Sequence, residues 1–80
     1  MRAKVYVTLK PAVLDPQGKA IEKSLHRLGF EDVRDVRVGK YIELNLEEKD
    51  RNRASSRLDE MCRKLLSNPV IEDAKYEFAD

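Results

Sequence analysis

Val36, Val38, Ile42, Leu44 and Leu46 flank a glycine, Gly39, and all stand at even-numbered positions. Side chains alternate between the two faces of a strand, so residues of one parity share a face only while the chain runs straight on. The dipeptide Gly39-Lys40 would otherwise suit a two-residue hairpin turn. In such a hairpin Val38 and Tyr41 would share a face, and Ile42, Leu44 and Leu46 would point away from Val36 and Val38. Parity therefore favours one long strand from Val33 to Leu46, bent near Gly39. Two strands would require a longer loop or a bulge to restore the register.

The rest of the chain arranges itself around that strand. Lys4-Val5-Tyr6-Val7-Thr8-Leu9 alternates with Val5, Val7 and Leu9 on one face, the pattern of a half-buried strand, and Lys10-Pro11 ends it. Asp15-Pro16 opens a helix, the aspartate as cap and the proline at the first helical position, where no amide donor is needed. Ile21, Leu25 and Leu28, with Ala20 beside them, predict its buried stripe, and Gly29 supplies the left-handed residue that closes it. Gly18 is out of place in a first turn, costing up to about 1 kcal/mol against alanine. A neighbour approaching the backbone closely would explain it.

A second helix opens in Glu47–Arg53, capped by Asp50 or Asn52. Ala54, Leu58, Met61, Cys62 and Leu65 form its expected stripe, with Asp59–Arg63 and Glu60–Lys64 as supporting pairs. Asn68-Pro69 stops it, with asparagine suited to a left-handed position. A last strand, Val70 to Phe78, places Ala74, Tyr76 and Phe78 together. The fold class is α+β, a two-layer sandwich of strand, helix, long bent strand, helix and strand, with a ferredoxin-like resemblance.

Eighty residues allow one domain, over 1–80. A chain this short hides only about 60 % of the surface it exposes when unfolded. Small scaffolds add disulfides, metals or self-association. Cys62 is the sole cysteine, and with the single His26 it cannot complete a four-ligand zinc site. Self-association remains, and an uncovered long strand invites it.

The formal net charge of +1 lacks the basic excess of a nucleic-acid binder. No apolar run approaches the ~20 residues of a membrane span, and Met1-Arg2-Ala3-Lys4-Val5 enters a strand without a leader's apolar stretch. The expectation is a cytoplasmic protein bound neither to nucleic acid nor to a membrane. Charge is nonetheless uneven: residues 1–40 carry a net +4 and residues 41–80 a net −3.

No catalytic constellation emerges. Cys62 falls on an apolar stripe, where cysteine behaves as a small hydrophobe, and His26 has no metal-ligand spacing around it. Gly18 is alone, not part of a phosphate loop. Lys19, Lys23 and Arg27, at i, i+4 and i+8, form a column of like charge that weakens a helix slightly. The column is either an ordinary solvated face or a docking surface for an acidic partner.

Three stretches resemble the PurS family. They are Val7-Thr8-Leu9-Lys10-Pro11 running into Val13-Leu14-Asp15-Pro16-Gln17-Gly18, then Val36 to Leu44, and Met61-Cys62 through Leu65-Leu66 to Asn68-Pro69-Val70-Ile71-Glu72-Asp73. Ala12 and Ala74 depart from the family pattern, which often has glycine or serine at the first and tyrosine at the second. The resemblance implies a non-catalytic subunit of phosphoribosylformylglycinamidine synthase, in which a PurQ-type glutaminase and a PurL-type synthetase convert formylglycinamide ribonucleotide to its amidine.

On this resemblance the complex uses ATP, magnesium and glutamine, and this chain holds no cofactor, no metal and no catalytic residue. It would assemble the complex, support ammonia transfer, and form a homo-oligomer, dimer or tetramer, with the sheet extended between copies. The candidates for a partner or oligomer interface are Lys19, Lys23, Arg27, Arg37, Gly39, Lys40 and Tyr41. Two other readings compete. A ferredoxin-like small-molecule sensor would need the hairpin that parity disfavours. An RNA-binding module of similar shape would need base-stacking aromatics on its central strands, and the Lys/Arg-Gly-aromatic signature is absent.

Overall fold

A computed structural model describes residues 1–79. Its centre is β1 (Arg2–Leu9), flanked on both sides by antiparallel strands, β2 (Gly39–Asn45) and β3 (Glu72–Phe78), in the order β2-β1-β3. Alternation along β1 buries Ala3, Val5 and Val7 completely or nearly so. In register, Val5 stands between Ile42 and Tyr76, so the apolar faces of all three strands coincide.

One helix covers that face. α2 (Arg51–Met61) begins where the Asp50 carboxylate accepts the Asn52 amide at 2.9 Å. It buries Ala54 and lays Leu58 and the following Cys62 against Ala3, Val5 and Val7 of β1, with Met61, Leu66, Ala74, Tyr76 and Phe78 closing around them. The Tyr76 hydroxyl donates to the Ser55 carbonyl at 3.3 Å, tying β3 to the helix, and Glu60 meets Lys64 at 2.7 Å.

The helix ends in a π-helical turn, Cys62–Leu66. The wider turn carries the buried row from Leu58 and Cys62 to Leu66, and leaves Leu65, expected in the stripe, 83 % exposed. Asn68 does not take the left-handed conformation expected of it, which Gly29 and Asp35 adopt instead. The helix ends one residue earlier, at an extended Ser67 whose amide and hydroxyl both donate to the Cys62 carbonyl. Asn68 turns the chain beyond it, its side-chain oxygen accepting the Val70 amide at 3.1 Å.

The first helix departs most from expectation. α1 (Pro16–Arg27) starts as its sequence implies, with the Asp15 carboxylate accepting the Gly18 amide at 2.9 Å. It also closes as implied: the Gly29 amide reaches the His26 carbonyl and the Phe30 amide the Leu25 carbonyl, around a Gly29 φ of 103°. Yet α1 does not lie on the sheet. Gly18 is its buried residue, whereas Ile21 is 40 % and Leu28 73 % exposed.

The return segment, residues 33–38, lies along α1 rather than in the sheet. His26 Nε2 donates to the Val33 carbonyl at 2.8 Å, and the Val36 and Val38 amides reach the carboxylates of Glu22 and Asp15. The strand accordingly starts at Gly39, not Val33. With β1 ended at Lys10-Pro11, the earlier residues have no ladder to join, and their amides turn to acidic side chains near α1. No turn interrupts the chain at Gly39, which is the outcome the parity of the apolar residues favoured. Gly39 is needed for another reason: a Cβ there would stand 2.5 Å from the Val7 carbonyl oxygen across the ladder.

Sheet order and sense are those of a ferredoxin-like sheet lacking one edge strand. α1 and its return segment form an arm instead. The molecule measures 49 × 27 × 14 Å with a radius of gyration of 16.0 Å, against about 12 Å for a compact chain of this length.

Candidate assembly surface

The arm carries the basic column. Lys19, Lys23 and Arg27 are all exposed, and none joins an ion pair among the described residues. Arg27 makes only a long 3.5 Å contact to Ser24 Oγ. Three free cations along one helix therefore face outward from a helix that is itself displaced from the core. Beside them the arm exposes an apolar set, Leu14 at 69 %, Leu28 at 73 % and Phe30 at 54 %. A cation column next to uncovered apolar side chains is suited to contact with another macromolecule.

The remaining sequence candidates lie elsewhere. Arg37 belongs to the root of the arm, where its guanidinium donates to the carbonyls of Lys10 at 3.0 Å and Val13 at 2.8 Å. It staples the outgoing chain to the returning chain. Gly39 and Lys40 open β2, opposite Thr8 and Val7.

Tyr41 lies on the uncovered sheet face, opposite Tyr6, with ring centroids 5.3 Å apart. Its hydroxyl donates to Glu43 at 2.7 Å, and that bond to a carboxylate pushes the phenol up to about 12. Glu43 also receives Arg2 at 2.9 Å, and Tyr6 donates to Glu77 at 2.8 Å. The candidates thus divide among arm, root and open face. The structure groups Lys19, Lys23 and Arg27 but sets Tyr41 apart from them.

Sequence reasoning missed two features. Asp15 was legible as a cap, but its second oxygen also accepts the Val38 amide at 2.8 Å. The side chain is buried, and these two backbone bonds hold its carboxyl below the usual range. The misplaced Gly18 was the available signal: a Cβ there would lie 2.2 Å from the Val36 carbonyl oxygen. The exposed pair Leu65 and Val70, at 83 % and 80 %, gave no sequence signal at all.

The arrangement offers little to bond-making chemistry. Cys62 is buried against β1, where burial pushes its thiol up, while His26 is on the arm with its Nε2 proton committed to Val33. The two do not form a nucleophile and base. A concavity of roughly 680 Å³ between root and sheet is lined by residues including Tyr6, Thr8, Arg37, Asp73 and Lys75. Among the described residues no cluster of three acidic, histidine or cysteine side chains is placed to hold a metal ion. Among the same residues no helix is long and apolar enough to cross a membrane.

Comparison with known proteins agrees with this picture. The model of the family described as PurS, phosphoribosylformylglycinamidine (FGAM) synthase, matches residues 2–80. The chain is 53 % identical over 76 residues to the PurS subunit of that synthase from Bacillus subtilis, covering 95 % of this chain and 89 % of the relative. It is 40 % identical over 72 residues to the subunit from Methanocaldococcus jannaschii, covering 90 % and 87 %. Its fold superimposes on the Bacillus subtilis PurS structure with a TM-score of 0.88, at 51 % identity, covering 99 % and 98 % of the two chains. It matches a chain of the Thermotoga maritima PurLQS structure with the same TM-score of 0.88, at 29 % identity, covering 98 % and 95 %.

Proposed function

The chain belongs to the PurS family, subunits of phosphoribosylformylglycinamidine synthase in purine biosynthesis, and we propose that within this synthase it is a connector. A PurQ-type glutaminase releases ammonia from glutamine, and a PurL-type synthetase uses ATP to install it on formylglycinamide ribonucleotide. Both reactions belong to the partners. The connector holds the two active sites within reach of each other, so that ammonia transfer becomes local rather than diffusive. Residues 1–80 act as a single domain in the cytoplasm, and the magnesium and ATP of the reaction are bound by the partners.

The observation that carries this reading is the arm. A helix stands off its own sheet, with unpaired cations on it and apolar side chains uncovered beside it. The same geometry supports self-association as a dimer or tetramer. A chain with a radius of gyration of 16.0 Å leaves apolar surface open that a second copy can cover. β2, an edge strand, offers a ladder on which the sheet can extend. Lys19, Lys23 and Arg27 then meet an acidic partner surface, while Arg37 and Gly39 set the arm's root, and Lys40 and Tyr41 lie on the sheet nearer a second copy.

Size-exclusion chromatography of matched PurL, PurQ and this chain tests the reading. A ternary peak is expected with the chain and none without it. Reversing Lys19, Lys23 and Arg27 to glutamate should dissolve that peak while the small oligomer remains. Raising salt should weaken it too, since exposed charges are screened beyond about 10 Å at 0.1 M. A ternary peak indifferent to the chain would contradict the connector role, and one indifferent to the triple variant would return the column to a solvated face.

A further inference from the structure

The arm meets the sheet at a narrow root, and the direction of the arm is decided there. α1 has 12 residues, so it is about 18 Å long. Turning it by roughly 10° at the root moves its far end by about 3 Å. A docking surface on α1 is therefore only as well placed as the groups that hold the root.

One side chain joins both halves of that root. Asp15 Oδ1 accepts the Gly18 amide at 2.9 Å, inside the first turn of α1, and Oδ2 accepts the Val38 amide at 2.8 Å, on the residue before β2. Asp15 is 4 % exposed. Capping needs only the first bond, and serine, threonine or asparagine makes it as well. The second bond reaches a residue 23 positions away and does nothing for the helix end. It ties the helix to the sheet.

Two neighbours shape the site around this carboxylate. Gly18 leaves room for the return segment, whose Val36 carbonyl oxygen occupies the place of a side chain, and Arg37 clamps the Lys10 and Val13 carbonyls.

We infer that Asp15 is a positioning residue, a two-oxygen latch between the Gly18 and Val38 amides that sets the angle of the arm and so the relative placement of the two active sites. The inference rests on the connector reading. Asp15 touches no substrate and acts through the arm.

Asp15→Asn separates the two bonds. Asparagine has one acceptor oxygen for two backbone donors. As a helix cap it turns that oxygen to the Gly18 amide, which leaves its NH2 group facing the Val38 amide donor to donor. In the full chain, alone and with matched PurL and PurQ, amide hydrogen exchange at Val38 should rise about tenfold or more, the scale of losing a hydrogen bond to a charged acceptor. Exchange at Gly18 should change little. In the complex, glutamine-dependent turnover should fall about tenfold while ammonia-dependent turnover stays within about twofold, because external ammonia does not need the two sites aligned.

Unchanged exchange at Val38, or two turnovers falling together, would overturn the latch. Asp15→Ser, which caps through its hydroxyl but is too short to serve Val38, carries the same readings should the asparagine variant fail to fold. A wild-type chain that never stimulates glutamine-dependent turnover would defeat the connector reading. The exchange contrast between Gly18 and Val38 would still decide whether the latch exists.

Discussion

Replacing Gly18 with alanine pits two effects of opposite sign against each other. Helix propensity alone predicts a gain of up to about 1 kcal/mol, because glycine within a helix is worse than alanine by that amount. Packing predicts a loss. The new Cβ would lie 2.2 Å from the Val36 carbonyl oxygen and 3.0 Å from both its carbonyl carbon and Asp15 Oδ2. Two of those atoms are backbone, so relief requires the return segment to move by about 1 Å. That movement would stretch the Val38 bond to Asp15, which is 2.8 Å long.

Overpacking costs about 1–3 kcal/mol, and an obstruction by backbone atoms belongs to the upper part of that range, about 2–3 kcal/mol. After a propensity gain of about 1 kcal/mol a net loss of about 1–2 kcal/mol remains. Urea unfolding at a fixed protein concentration measures it, since association contributes to the stability of an oligomer. Gly29→Ala is the control. Nothing lies within 4 Å of a Cβ there, but the φ of 103° strains any side chain, so a loss of about 1 kcal/mol is expected without a clash. A Gly18→Ala chain as stable as wild type, or more so, would refute the close approach and with it the packed root of the arm.

Three further outcomes are expected. Leu58 is fully buried between α2 and β1, so Leu58→Ala should cost about 2–5 kcal/mol in the same urea experiment. Tyr41 should ionise near 12 in an ultraviolet absorbance titration, and Glu43→Gln should lower that value towards 10 by removing the carboxylate its hydroxyl serves. Because the folded value of Tyr41 lies above the unfolded one, the pair supports the fold fully up to about 10 while Glu43 is ionised, and its support is lost as pH rises from there through about 12. The same bond holds the Glu43 carboxyl below its usual range, so the support is also lost in acid as Glu43 protonates. Cys62 should react slowly with a thiol reagent in the native protein and fast in urea, since it is buried and its thiol is pushed up by that burial.

Local chemistry was legible in the sequence, and partnership was not. Asp15-Pro16, Gly29 and Asp50 mark helix ends because capping is decided within a few residues, and all three do what their sequence context implies. The shared parity of Val36 through Leu46 disfavours a tight hairpin at Gly39, because face alternation is a property of the strand itself. The same parity could not say whether residues 33–38 would find a ladder, which depends on where β1 ends. Ile21, Leu25 and Leu28 announced an amphipathic helix, but periodicity reports that a face is apolar and not what covers it. Leu65 fits the buried stripe under α-helical spacing, but through Cys62–Leu66 the wider π-helical turn selects Leu66. The basic column was visible as a pattern, and its place on an arm clear of the sheet was not. The second bond of Asp15 lies beyond local reasoning altogether, since it joins residues 15 and 38.

The measurement closest to the central claim compares two turnovers by matched PurL and PurQ, with and without this chain. One uses glutamine as the nitrogen source and the other uses external ammonia. A connector predicts a large rise in the glutamine-dependent rate, of about tenfold or more, with the ammonia-dependent rate changed by less than about twofold. Equal stimulation of both rates would mean that the chain activates the synthetase directly, and would contradict the account.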